Sequence, residues 1–264
     1  MEVADLTETK MSHRRKGIYL LPNLFTTGSL FSGFYSIISS LNQDFIAAAI
    51  AIFVALILDG LDGRVARLLN AQSAFGAQYD SLADLLSFGV APALLAYNFN
   101  ILYLNPLGFA KIGWLSAFIF LAAVALRLAR FNVQLDAPED SRKAKRYFHG
   151  LPCPAGAALM SSLLWVCTLH GYQNITSAIV VIATMIVVAF LMVSNIRFRS
   201  FKDIDPRISI RFTYMVLLVL ILVGIVWRPA EMLFGVFLLY ILSGPICGLV
   251  KLRRKCDASP SNPT

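Results

Sequence analysis

Two aspartates three positions apart, Asp59 and Asp62, and two four apart, Asp80 and Asp84, stand inside stretches that are otherwise mostly apolar. Residues three and four apart share a helix face, so each pair lines one stripe. Gly63 and Ala66 continue the first stripe, and Arg67 lies one turn beyond Gly63. Crowded carboxylates repel, and each is costly in an apolar setting. A shared divalent cation relieves both problems, and an all-oxygen donor set suits Mg²⁺, Mn²⁺ or Ca²⁺. The small side chains leave room for a substrate to reach the backbone, and a guanidinium suits a phosphate group. The pattern therefore points to metal-assisted phosphoryl chemistry on a diphosphate. A structural hydrogen bond or a proton relay accounts for one such pair, but not for four aspartates with Gly and Arg between them. A divalent-cation carrier built on the same carboxylates leaves Arg67 without a role.

The elements that must position these groups are membrane helices. Of 264 residues, 58% are hydrophobic and only 14% charged, against about 25% charged in a usual soluble domain. The net charge of +8 raises the question of nucleic acid, but the basic residues sit in short clusters between apolar runs, as in cytoplasmic loops. Nucleic-acid binding is the weaker reading. Runs near the length of roughly 20 residues that a spanning helix needs fall at 24–41, 45–69, 79–97, 108–131, 152–169, 176–193, 212–227 and 232–249. Lys and Arg cluster before the first run, at the end of the second, and after the fourth, sixth and eighth; the alternate connections have almost none. Excess Lys and Arg mark the cytoplasmic side. The expectation is an all-α integral membrane protein of about eight transmembrane helices with both termini cytoplasmic. Residues 1–20 read as a polar cytoplasmic lead-in, 21–202 as a six-helix core, 203–252 as two additional helices and 253–264 as a polar tail.

Orientation fixes depth. The second span runs inward and the third returns, joined by a turn around residues 71–76. Asp59 precedes Leu69 by ten positions and Asp84 follows Gly76 by eight. At about 1.5 Å per residue, both lie roughly 12–15 Å from that turn. All four carboxylates are thus expected at one level near the cytoplasmic face. Cys153, Cys167, Cys247 and Cys256 form no CxxC pair and no Cys/His metal spacing, so neither a disulfide framework nor a zinc site is indicated.

Asp59, Asp62, Gly63, Ala66, Arg67, Gly76, Asp80 and Asp84 together spell D-x-x-D-G-x-x-A-R-x8-G-x3-D-x3-D. This resembles the signature of the CDP-alcohol phosphatidyltransferases at every position. The resemblance implies transfer of a phosphatidyl group from a CDP-linked lipid to an alcohol, with release of CMP. It implies that Asp59, Asp62 and Asp80 are metal ligands, and that Asp84 contacts metal and acts as general base. It also implies that Gly63, Ala66, Arg67 and Gly76 border the cytidine diphosphate.

Further segments narrow the branch. Pro22, Asn23 and Thr26 resemble the entry to the first helix, with Asn23 and Thr26 facing the nucleotide. The runs at 127–132, 148–154 and 192–198 resemble the phosphatidylserine synthase branch, which implies CDP-diacylglycerol and L-serine as substrates. A zwitterionic acceptor needs a cation for its carboxylate, which Arg127, Arg130 and Arg197, with Asn132, are expected to supply. Cys153 stands where the resemblance leads one to expect an aliphatic residue. Glycerol 3-phosphate or an inositol-type acceptor is the nearer alternative, and a divalent-cation transporter the distant one. The resemblance extends to a homodimer in a bacterial cytoplasmic membrane, with the active site facing the cytoplasm.

Overall fold

The computed structural model describes residues 2–69, 73–105, 108–135, 150–194 and 212–257. All the regular structure there is helical. The basic segments at 142–146 and 197–211, His149 and the end of the tail lie outside the described residues.

Helix α1 (Glu2–Leu41) continues unbroken through Pro22. It begins well before the expected apolar run at 24–41, because hydropathy marks where a helix meets lipid rather than where its backbone starts. Its buried Ser29, Ser32, Ser36, Ser39 and Ser40 recur on one face. Small residues let helices approach closely, and α2 (Phe45–Leu68) meets this stripe with alanines. Ser29 donates to the Ala55 carbonyl at 3.1 Å and Ser32 to the Ala51 carbonyl at 2.7 Å. The hydroxyls thereby bond backbone oxygens that lipid could not satisfy. Asp44 starts α2 by accepting the Ala47 amide at 3.0 Å, an N-cap interaction.

The next helix has three parts: α3 (Ala74–Asp84), a π-helical turn (Leu85–Val90) and α4 (Ala91–Leu104). Ser73 caps it by accepting the Gly76 amide at 2.9 Å. It therefore starts earlier, and runs further, than the expected 79–97. Gly76 lies in its first turn rather than in a connecting turn. Polar residues at this end lower hydropathy without opposing the helix. In the π-turn the Ala91 amide bonds the Leu86 carbonyl, five residues back. Ser87 there donates to the Ser29 carbonyl at 3.0 Å, and Gly33 of α1 lies against it. A Cβ on Gly33 would come within 2.8 Å of the Ser87 Cα.

Helices α5 (Ala110–Leu135), α6 (Cys153–Leu169) and α7 (Ile175–Val193) complete the body, followed by α8 (Phe212–Trp227) and α9 (Pro229–Asp257). Asn174 and Ser177 form a reciprocal capping box at the start of α7. Phe88, Leu95, Phe99, Phe120, Met160, Leu164 and Met185 fill the shared core, with Phe45 edge-on to Phe99 at 5.6 Å. Helix α9 docks beside α6, where Phe237 and Trp165 flank Phe53 at 6.2 and 6.3 Å. The corner between α8 and α9 is tied to the end of α6 by Glu231, which meets His170 at 3.0 Å and Arg228 at 3.3 Å.

Four helices among the described residues are long and apolar enough to cross a membrane: Phe45–Leu68, Ala74–Leu104, Ala110–Val133 and Ile175–Val193. Cys153–Leu169 and Pro229–Pro245 are shorter apolar helices. Large apolar side chains such as Leu24, Phe31, Phe118 and Phe190 point outward, which water does not favour and lipid does. This is the make-up of an integral membrane protein.

Candidate active site

The acidic site lies between the last turns of α2 and the length of α3, both of which pack against α1. Asp59 is nine residues before the end of α2 and Asp84 ten after the start of α3. At about 1.5 Å per residue these positions share one depth. One carboxylate oxygen from each of Asp59, Asp62 and Asp80 lies within 4.8 Å of the other two. Asp84 falls outside that trio, but its side chain hydrogen-bonds that of Asp59. Two carboxylates in such contact need a proton or a cation between them.

Three observations fit a divalent cation among the trio. The donors are all hard oxygens, which suits Mg²⁺, Mn²⁺ or Ca²⁺. The Asp80 Oδ1 atom is buried with no hydrogen-bond partner among the described residues, a condition a native site rarely leaves uncompensated. No ion pair between described residues involves Asp59, Asp62, Asp80 or Asp84, so no described basic side chain pairs directly with the cluster. Asp62 is only 5% exposed, and its Oδ2 accepts a 2.8 Å hydrogen bond from Thr26. That bond from α1 fixes the rotamer of one carboxylate and leaves its other oxygen available.

A cavity of about 490 Å³ opens beside the trio. Asn23, Thr26, Gly63, Ala66, Arg67 and Gly76, the six positions expected to border the nucleotide, all line it, together with Asp62 and Asp80. Pro22, Ser73 and Ala77 complete the wall; these three were not expected. Ser73 and Ala77 come with the early start of α3, for which the Ser-x-x-Gly capping geometry is the only local signal. A Cβ on Gly63 would meet nothing within 4 Å, so the missing side chain serves the cavity and not the packing. Arg67 folds back along α2, its Nε donating to the Gly63 carbonyl at 2.8 Å. That bond restrains a side chain that lines the cavity.

The expected acceptor residues do not form one cluster. Arg127 faces α6, where its Nη1 donates to the Cys153 sulfur at 3.4 Å. Asn132 faces α3, accepting from Ser81 at 3.0 Å. Five residues along a helix is about 140° of rotation, which separates the two. Arg130 lies on the exposed side of α5, and Arg197 is outside the described residues. Cys153, unremarkable in sequence beyond its polarity, is fully buried and accepts the hydrogen bond from Arg127. Only the fold could reveal that contact, because 26 positions separate it from Arg127.

The sequence profile of the CDP-alcohol phosphatidyltransferases matches residues 19–193. The chain is 37% identical over 229 residues to the CDP-diacylglycerol--serine O-phosphatidyltransferase of Helicobacter pylori (strain ATCC 700392 / 26695), covering 87% of this chain and 91% of that one. It is 32% identical over 240 residues to the protein of the same name from Mycobacterium leprae (strain TN), covering 91% and 78%. With the Bacillus subtilis (strain 168) protein of that name it shares 36% over 182 residues, covering 69% and 91%.

Proposed function

Because the chain belongs to the CDP-alcohol phosphatidyltransferase family, we propose that it transfers the phosphatidyl group of CDP-diacylglycerol to the hydroxyl of L-serine, giving phosphatidylserine and CMP. The observation that carries the CDP-lipid part is the single cavity whose wall combines Gly63, Ala66 and Arg67 with Asp62 and Asp80. Serine as acceptor draws its support from relatives that carry that substrate in their names over most of both chains.

The nucleotide and diphosphate occupy the cavity, with Asn23 and Thr26 on the α1 side and Gly76 on the α3 side. Asp59, Asp62 and Asp80 would hold a divalent cation, with Asp84 as an expected further contact. Such an ion neutralises the diphosphate and stabilises the charge that develops at phosphorus. Thr26 orients Asp62 for this task, and Arg67 meets the departing phosphate. Asp84 takes the proton from the serine hydroxyl as its oxygen bonds to the lipid-side phosphorus and the bond to CMP breaks. A serine hydroxyl is a weak nucleophile at neutral pH, so a positioned base contributes roughly 10²–10⁴-fold. Of the residues expected to serve the acceptor, Arg127 is the one whose head group reaches the buried interior; Asn132 and Arg130 face other sides of α5.

The arrangement is read as eight spans with both termini inside, residues 21–202 forming the catalytic core and 203–252 two further helices. The positive-inside pattern turns the acidic end to the cytoplasm of a bacterial inner membrane. The resemblance also supports a homodimer, which the mass of the purified protein in detergent tests. The deciding experiment offers the purified protein CDP-diacylglycerol with serine, glycerol 3-phosphate or inositol separately and measures CMP. Release with serine alone is expected. Release with glycerol 3-phosphate and not with serine overturns the acceptor.

A further inference from the structure

Helix α3 carries two of the four aspartates, yet side-chain packing scarcely fixes it, since Ala83 is its only buried residue. Hydrogen bonds to two neighbouring helices do more. On one side the Tyr79 hydroxyl lies 3.0 Å from the Thr27 Oγ1 of α1. Thr27 donates its own hydroxyl proton to the Asn23 carbonyl at 2.7 Å, and a hydroxyl has only one to give, so Tyr79 is the donor of the pair. Phe75, one turn back on α3, stacks on the Tyr79 ring with centroids 6.0 Å apart and planes 11° from parallel, which holds the phenol in place. On the other side the Ser81 hydroxyl is shared between the Asn132 Oδ1 of α5 and the Ala77 carbonyl of its own helix, each at 3.0 Å.

Tyr79 and Ser81 flank Asp80 in the chain. At about 100° per residue they project to either side of it, with Asp84 about 40° round from Asp80. Helix α1 thus restrains one flank of α3 and α5 the other, and Asp80 stands between them, its carboxylate turned to Asp59 and Asp62. Such restraint matters because the site is sensitive to rotation. A carboxylate stands roughly 5–6 Å from the helix axis, so a turn of about 10° displaces it by about 1 Å. Metal–oxygen distances tolerate only about 0.2 Å.

We propose that Tyr79 with Thr27, and Ser81 with Asn132, are positioning pairs that clamp the rotation of α3 and so aim Asp80 and Asp84 at the divalent cation. This gives Asn132 a task toward α3 rather than toward the acceptor. The inference rests on the assignment of a cation to Asp59, Asp62 and Asp80 made above, and is independent of which acceptor the enzyme takes.

The test titrates the purified full-length protein in detergent with Mn²⁺ alone and follows the electron paramagnetic resonance of the unbound ion. The site is identified as the binding that Asp80→Asn abolishes. Tyr79→Phe, which keeps the ring stack, and Ser81→Ala are each expected to weaken that binding about fivefold, the net worth of one hydrogen bond that no longer pre-sets α3. Ser81→Thr, which keeps the hydroxyl, should stay within about twofold of the wild type. At saturating Mn²⁺ the kcat of Tyr79→Phe and Ser81→Ala should return to within about twofold, since neither side chain lines the cavity. Ser32→Ala is the control for general loosening, because it removes a hydrogen bond between α1 and the packed half of α2; its Mn²⁺ affinity should match that of the wild type. Unchanged Mn²⁺ affinity in either Tyr79→Phe or Ser81→Ala overturns the clamp, as does an equal loss in Ser32→Ala. Wild-type protein with no Mn²⁺ binding that Asp80→Asn abolishes sinks the metal assignment beneath it.

Discussion

Helix α2 has two ends that solve opposite problems. From Phe45 to Ala55 its buried residues are aromatic, aliphatic or alanine, closed against α1 and α4; beyond Ala55 the only buried residue is Asp62. The adjoining helix repeats the division: α4 buries eight residues, Phe99 and Asn100 among them, whereas α3 buries only Ala83. The acidic cluster can be electrostatically unfavourable because the same helices are secured at their other ends. Packing and chemistry are thus separated along the helix axes, and losses at one end should not mirror losses at the other.

The strongest challenge to this separation is Asp84→Asn. Activity should fall roughly 10²–10⁴-fold, while the thermal midpoint in metal-free detergent stays level or rises, because one of two touching carboxylates has lost its charge. A marked fall in that midpoint would show that the acidic end also carries stability. Phe88→Ala is the reverse case: a fully buried ring lost from the core should cost about 3–5 kcal/mol of stability. The fraction that remains folded should keep its KM values, measured against active-site content.

Two glycines sharpen the comparison further. Gly33→Ala forces a methyl against Ser87 and should destabilise by about 1–3 kcal/mol through overpacking, with little change in KM. Gly63→Ala meets no protein atom within 4 Å, yet projects into the cavity. It should leave unfolding unchanged and raise the CDP-diacylglycerol KM by about tenfold. The smallest expected effect is that of Thr26→Val, which removes the hydrogen bond that orients Asp62. A net contribution of about 1 kcal/mol corresponds to a several-fold loss of kcat/KM, partly recovered at higher Mg²⁺ or Mn²⁺.

The acidic site was largely legible in the sequence because its determinants are local. Asp59 with Asp62, and Asp80 with Asp84, sit at helix spacing on two consecutive helices, so arithmetic on rise per residue sufficed to bring them level. Of the six cavity positions, Gly63, Ala66 and Arg67 followed from the same helix face, whereas Asn23, Thr26 and Gly76 came from the family resemblance. What escaped was non-local. The contact of Arg127 with Cys153 depends on how α5 and α6 cross, and the stacking of Phe237 and Trp165 about Phe53 on how α9 docks. Neither leaves a periodic trace in a helix that is apolar almost all round. The early start of α3 escaped because hydropathy registers solvent preference, to which a serine cap contributes nothing visible. The π-helical turn escaped because nothing in Leu85–Val90 distinguishes a five-residue hydrogen-bond step from a four-residue one. The wide turn accompanies the seating of Ser87 against α1.

That turn also bears on how the chain can change in length. Deleting one residue within 91–98 would swing all that follows it by about 100° and take Phe99 away from Phe45. Deleting one within Leu85–Val90 would tighten the wide step to an ordinary one and leave both flanks facing as they do now. Deletions between the aspartates and the core should therefore gather at this turn, where a codon can be lost without moving either.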